Sequence, residues 1–151
     1  MKNILFVCTG NSCRSVMAEG LFKKAVEARA GEFEVGSAGI AAYDGYPSTL
    51  ETIRVLHEKG VDMSRHQSRR LTRELVEAAD EIYVMERMHR EMILSFWPDA
   101  EEKVHLLTEF SPAKSATREE DIPDPIRTTD EFYREIMRMI EECVRRIAAM
   151  F

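Results

Sequence analysis

Eight consecutive residues, Cys8-Thr9-Gly10-Asn11-Ser12-Cys13-Arg14-Ser15, put a thiol and a guanidinium at the two ends of one short polar stretch. The stretch follows the apolar run Ile4-Leu5-Phe6-Val7 and precedes a segment with Met17, Leu21, Phe22, Ala25 and Val26 at helical spacing, which predicts an amphipathic helix. A loop running from a strand into a helix binds anions, because backbone N–H groups converge at the helix start and the helix dipole favours negative charge there. Arg14 adds a planar fork of donors that matches two phosphate oxygens. Cys8 is then a candidate nucleophile, since a thiolate attacks phosphorus, yet an ordinary thiol is mostly protonated at neutral pH. A helix terminus supplies about 0.3–1 kcal/mol, at most about 2, so other groups must help to favour the thiolate. The Ser15 hydroxyl and the charge on Arg14 are the candidates. The competing reading of Cys8 is a buried thiol at a strand end, a common place for free cysteine.

Around this loop the chain alternates between strand-like and helix-like segments, which predicts a parallel sheet flanked by helices. Strands are expected at Asn3 to Val7, Phe33 to Ser37, Glu81 to Met85 and Lys103 to Leu107. The first two, with the helix between them, form a βαβ unit, so the Cys8 loop sits at the C-terminal end of a strand, where open α/β sheets bind ligands. Helices are expected over 48–59, opened by a capping box at Ser48-Thr49-Leu50-Glu51 and closed at Gly60, over Thr72 to Ala79, and over Met88 to Phe96. Phe132, Ile136, Ile140, Cys143 and Ile147 recur every three or four residues behind a Thr128-x-x-Glu131 cap, predicting a long last helix. Between Thr108 and Thr128 no regular period is visible, and so long a connection is a candidate functional loop.

Composition narrows the function classes. With 151 residues, 44% of them hydrophobic, the chain fits one domain spanning 1–151. Lysine and arginine number 21 against 27 acidic residues, a net charge of −6, which argues against a nucleic-acid or anionic-membrane partner. The apolar run near the N-terminus is far shorter than the roughly 20 residues a membrane helix needs, so a cytoplasmic protein without membrane attachment is expected. Three cysteines, Cys8, Cys13 and Cys143, exclude a disulfide-stapled scaffold and predict reduced thiols. The four histidines, His57, His66, His89 and His105, show no close-spaced ligand pairs, and neither a metal nor a cofactor is expected. Cys143 falls on the apolar stripe of the last helix and reads as core, and Arg69, Arg70 and Arg73 read as a solvated surface without a role.

The loop Val7-Cys8-Thr9-Gly10-Asn11 with Cys13-Arg14-Ser15, together with Met17-Ala18-Glu19, Ser37-Ala38-Gly39, Gly45 with Pro47, His66 and Asp124-Pro125, resembles the low-molecular-weight protein tyrosine phosphatases in order and position. That resemblance implies a three-layer α/β fold, a four-stranded parallel sheet with helices on both faces and the phosphate-binding loop directly after the first strand. It implies a protein phosphatase that needs no metal, works through a cysteinyl-phosphate intermediate, acts on phosphorylated proteins and releases phosphate; a monomer is expected. Carried onto this sequence, Cys8 is the nucleophile, Arg14 clamps the phosphoryl group, and Asp124 is the general acid and base. Asn11, Ser15, Ser37 and His66 match the hydrogen-bond network that holds the loop. Cys13 would form a reversible disulfide with Cys8, protecting it from overoxidation. An acid on a loop can protonate the leaving group and later take a proton from water, and Pro125 restricts the backbone at Asp124. Asp121 is the nearby competitor, without a following proline.

Three positions bear on the substrate. Tyrosine-selective members of the family carry a bulky aliphatic residue where this chain has Ser12, and an aromatic pair after Asp-Pro where it has Ile126-Arg127. The bacterial branch that dephosphorylates phosphoarginine resembles this chain in having a small hydroxyl residue at the Ser12 position. Tyr43, six residues after Ser37, stands where tyrosine-directed relatives place an aromatic wall, on which a phenyl group would stack. The expectation is phosphotyrosine, with phosphoarginine as the alternative. Thioredoxin-coupled arsenate reductases share the loop but need two further cysteines, and none lies between Gly20 and Glu142. A phosphate-binding module without turnover is disfavoured because the nucleophile, clamp and acid coincide.

Overall fold

The computed structural model describes residues 1–111 and 120–151, so the middle of the expected 108–128 loop lies outside the described residues. Four strands, β1 (Lys2–Cys8), β2 (Phe33–Gly39), β3 (Glu81–Val84) and β4 (Val104–Leu106), form one parallel sheet in the order β2-β1-β3-β4. Among the described residues five α-helices accompany them: α1 (Arg14–Ala25), α2 (Leu50–Glu58), α3 (Arg73–Ala78), α4 (Arg87–Phe96) and α5 (Asp130–Ala148). Among the described residues no helix is long and apolar enough to cross a membrane.

The three layers follow from alternation along β1. Ile4, Phe6 and Cys8 enter a core shared with α1, α2 and α5, whereas Leu5 and Val7 enter a second core with Val76 of α3 and Ile93 of α4. Both faces of the strand are covered, which is why β1 reads as an unbroken apolar run rather than an alternating one. From β1 the chain pairs β2 on one side and β3 on the other, placing Cys8, the last residue of β1, at the switch point of the sheet.

Several local expectations shift. Helix α2 is capped by Thr49, whose hydroxyl accepts the Thr52 N–H at 3.3 Å, and not by Ser48, whose buried hydroxyl has no partner among the described residues. Helix α5 is capped by Thr129, accepting from Phe132 N–H at 3.1 Å, one residue after the expected Thr128. In both cases adjacent hydroxyl residues compete for the cap, and the geometry of the incoming chain selects one. Helix α1, expected to be amphipathic, is buried on every side from Arg14 to Phe22, because it is packed between the sheet, α2 and α5. Short 3₁₀ segments at Glu27–Glu32, Pro98–Lys103 and Leu107–Phe110 carry no periodicity of their own, so no sequence pattern marks them.

Candidate active site

Two hydrogen bonds converge on the Cys8 sulfur. The Asn11 backbone N–H donates to Sγ at 3.3 Å, and the Ser15 hydroxyl lies 2.9 Å from it. The Asn11 side-chain amide donates to Ser15 Oγ at 2.8 Å, so the Ser15 proton is left to point at sulfur. Donors aimed at sulfur stabilise the thiolate over the thiol. Asn11 reaches them from a left-handed backbone conformation, φ 53°, which asparagine tolerates better than most residues.

The amide of Asn11 is itself held from three directions. It donates to Ser37 Oγ on β2 at 2.9 Å, and its carbonyl oxygen accepts the Arg69 backbone N–H at 3.0 Å. Ser37 in turn donates to the buried Glu19 carboxylate of α1 at 2.6 Å, while His66 Nε2 lies 3.3 Å from the Asn11 backbone carbonyl oxygen. Burial pushes His66 below its usual range, against the pull of Glu19. Asn11, Ser15, Ser37 and His66 therefore meet around Cys8 as expected. Glu19 and Arg69 join them unanticipated. Arg69, read from sequence as a surface charge without a role, donates its Nε to the Ser37 carbonyl at 2.8 Å. Gly39 closes the back of the loop, where a Cβ would meet the Thr9 carbonyl at 2.6 Å and the Asn11 nitrogen at 2.9 Å.

Arg14 opens α1 and is 2% exposed. Its Nη1 donates to Glu86 Oε2 and to the Ile122 carbonyl, both at 2.7 Å. The opposite Nε–Nη2 edge makes no hydrogen bond among the described residues, and it is the edge that suits a bidentate grip on two phosphate oxygens. The Ile122 N–H donates to the Met85 carbonyl at 2.9 Å, so the segment leading into Asp124 is sewn to the end of β3. Asp124 is exposed, its carboxylate accepting the Ile126 N–H at 3.1 Å. Asp121 faces elsewhere: it accepts the Arg87 N–H at 2.8 Å and pairs with the Arg87 side chain.

His89 on α4 is fully buried. Burial first, and then the Arg14 charge, push it down to about 4, outweighing Glu86, Asp121 and Asp124. It is therefore neutral in the folded chain at neutral pH. The unfolded chain takes up the proton at its ordinary value, near 6.5, so stability is present above that pH and is lost as pH falls toward 4. We expect the stability advantage of the wild type over His89→Asn to shrink by about 3 kcal/mol between pH 7 and pH 4. Denaturant unfolding of both proteins across that range checks it, and a constant difference would contradict it.

The remaining candidates occupy the rim. The Ser12 carbonyl accepts the Thr49 N–H at 3.2 Å, and the Ser12 hydroxyl lies 3.7 Å from Cys13 Sγ. Cys13 is a free thiol between Thr49 Oγ1, at 3.5 Å, and the Tyr133 hydroxyl, at 3.7 Å. Ile40 and Ala41 donate to the Cys8 and Thr9 carbonyls at 3.0 and 2.9 Å, so both ends of the 40–49 connection are fastened to the phosphate loop. Tyr43 and Tyr46 stand on this connection, 76% and 63% exposed, with ring centroids 6.4 Å apart. Ile126 is 46% exposed. Cys143 packs in the core under α5, and burial pushes its thiol up to about 12.

The comparison with known families is decisive on lineage. Residues 3–151 match the model of the low molecular weight phosphotyrosine protein phosphatases. The chain belongs to this family. It is 35% identical over 146 residues to a protein-arginine-phosphatase of Bacillus subtilis, covering 97% of this chain and 94% of that one. It is also 35% identical over 143 residues to the low molecular weight protein-tyrosine-phosphatase Ptp of Acinetobacter johnsonii, covering 95% and 93%. Among solved structures, the YwlE arginine phosphatase from Geobacillus stearothermophilus superposes with a TM-score of 0.88 at 35% identity, over 99% of this chain and 92% of that chain. Vibrio vulnificus Wzb in complex with benzylphosphonate gives 0.87 at 33% identity, over 99% of both chains. The α/β architecture of this phosphatase family, a four-stranded parallel sheet with the phosphate loop after β1, is thus the one this chain adopts.

Proposed function

We propose that this member of the family hydrolyses phosphotyrosine on proteins by two in-line displacements. Cys8 attacks phosphorus as a thiolate while Asp124 protonates the departing phenolate oxygen, leaving a cysteinyl phosphate. Water then attacks the cysteinyl phosphate, with Asp124 taking its proton, and inorganic phosphate and the thiolate are released. Arg14 grips the phosphoryl oxygens throughout, and the backbone N–H groups of residues 9–15 stabilise the charge that spreads over them. The observation that carries this reading is the convergence of the Ser15 hydroxyl and the Asn11 N–H on Cys8 Sγ, with Arg14 fixed at the other end of the same loop. The aromatic pair Tyr43 and Tyr46, on a connection fastened at both ends to that loop, supports a flat phenyl leaving group. A monomer working in the cytoplasm fits this reading.

Ser12 favours a second reading, phosphoarginine, because its small hydroxyl leaves room and a polar partner where a nitrogen leaving group would sit. Two of the relatives most similar in sequence are named for that activity. Comparing kcat/KM on a phosphotyrosine and a phosphoarginine peptide separates the two. We expect the phosphotyrosine peptide to be preferred and Tyr43→Ala to lower its kcat/KM about tenfold, the order of a lost aromatic contact of 0.5–1.5 kcal/mol. A preference for phosphoarginine that collapses in Ser12→Ile would replace phosphotyrosine with phosphoarginine.

A further inference from the structure

Helix α4 touches the phosphate loop through a side chain for which the mechanism above has no use. His89 Nε2 lies 2.8 Å from Thr9 Oγ1, and His89 Nδ1 accepts the Glu86 backbone N–H at 3.1 Å. An acceptor at Nδ1 on a neutral ring leaves the proton on Nε2, so Nε2–H donates to the Thr9 hydroxyl oxygen. The same Nε2 is 3.6 Å from Glu86 Oε2, which holds Arg14 Nη1 at 2.7 Å. Thr9, His89, Glu86 and Arg14 are therefore linked in a chain, the Glu86 N–H on His89 Nδ1 joining the residue beside the nucleophile to the arginine that closes the loop.

We propose that His89 is a positioning residue for the reaction: with Glu86 it makes the first turn of α4 a bracket that holds Thr9 and Arg14 at a fixed separation around the bound phosphoryl group. The bracket is rigid for two reasons. His89 has no exposed surface, and Ile93, one turn later, locks α4 into the second core. Arg14 and Thr9 flank the site where the phosphoryl oxygens lie, so a shift of either changes how well the loop fits phosphate, and misplacements near 1 Å cost about a hundredfold in rate. This rests on the phosphatase reading, although phosphate affinity tests it without turnover.

A merely structural His89 would serve only as the acceptor for the Glu86 N–H at the start of α4. The two roles separate by side-chain length. Asparagine at 89 can still accept that N–H but does not extend to Thr9, glutamine extends a donor to about the Nε2 position, and Thr9→Val removes the acceptor without changing shape. The experiment measures the Kd of inorganic phosphate by calorimetry, and kcat and KM on a phosphotyrosine peptide, for wild type, His89→Asn, His89→Gln, Thr9→Val and the Asn/Val double variant. Expected are about tenfold weaker phosphate binding and about tenfold lower kcat/KM in His89→Asn and in Thr9→Val, no further loss in the double variant, and recovery of most of the loss in His89→Gln. Losses that multiply in the double variant would overturn the bracket, as would a His89→Asn protein whose melting temperature falls while phosphate affinity and kcat/KM stay within twofold. If His89→Asn does not fold, Thr9→Val and His89→Gln decide: unchanged phosphate affinity in Thr9→Val overturns it. A wild type that binds phosphate without turning over any phosphopeptide would defeat the phosphatase reading alone, and the phosphate Kd series would still judge the bracket.

Discussion

Replacing Cys8 by serine is expected to reduce turnover of a phosphotyrosine peptide by roughly 10⁴-fold or more, because the attacking atom itself is lost. The hydroxyl that replaces the thiol is far harder to ionise, and the two donors that favour a thiolate, the Ser15 hydroxyl at 2.9 Å and the Asn11 N–H at 3.3 Å, do not make up that difference. Phosphate binding should survive, since the loop amides and Arg14 remain. Rapid quench with wild type should trap a phosphorylated enzyme, and the variant should accumulate none at cysteine. Residual turnover within tenfold of wild type would mean that the sulfur does not attack phosphorus.

The second large effect concerns the proton. Asp124→Asn should lower kcat by about 10²–10⁴ on a substrate whose leaving group needs protonation, and much less on an aryl phosphate with an acidic phenol, because general acid catalysis matters in proportion to the basicity of the departing atom. Asp121→Asn should change kcat less than fivefold, since its carboxylate is engaged at the start of α4 by the Arg87 N–H and side chain. Steady-state kinetics on a series of aryl phosphates gives the slope of rate against leaving-group pKa, and that slope should steepen only in Asp124→Asn. Steepening in Asp121→Asn instead would exchange the two roles.

The two aspartates differ both in sequence and in their surroundings. Asp124 is distinguished from Asp121 in sequence by the following proline and by family resemblance, and in the structure by what each carboxylate touches. The helix caps show the opposite case. Ser48 and Thr49, or Thr128 and Thr129, are adjacent hydroxyl residues of equal local merit, and the approach of the chain selects the second of each pair. Arg69 reads as one of a surface trio in the sequence, yet its backbone and side chain close around Asn11 and Ser37, 58 and 32 residues away in the chain.

The sequence by itself determined the strand, loop and helix that carry Cys8 and Arg14, and with them the anion-binding chemistry, because those groups lie within eight residues and their geometry is local. It also determined the alternation of strands and helices that makes the sheet parallel. Family resemblance also indicated Asn11, Ser15, Ser37 and His66 as residues that hold the loop, but only the tertiary structure decided what else does. Glu19, Arg69, Glu86 and His89 reach it from α1, from the connection after α2 and from the start of α4, and no spacing in the chain announces the meeting. The physical reason is burial: once Asn11, Arg14 and Ser15 leave water, every donor and acceptor on them must find a partner within the fold, and packing of distant elements, not sequence neighbourhood, determines which side chains are there.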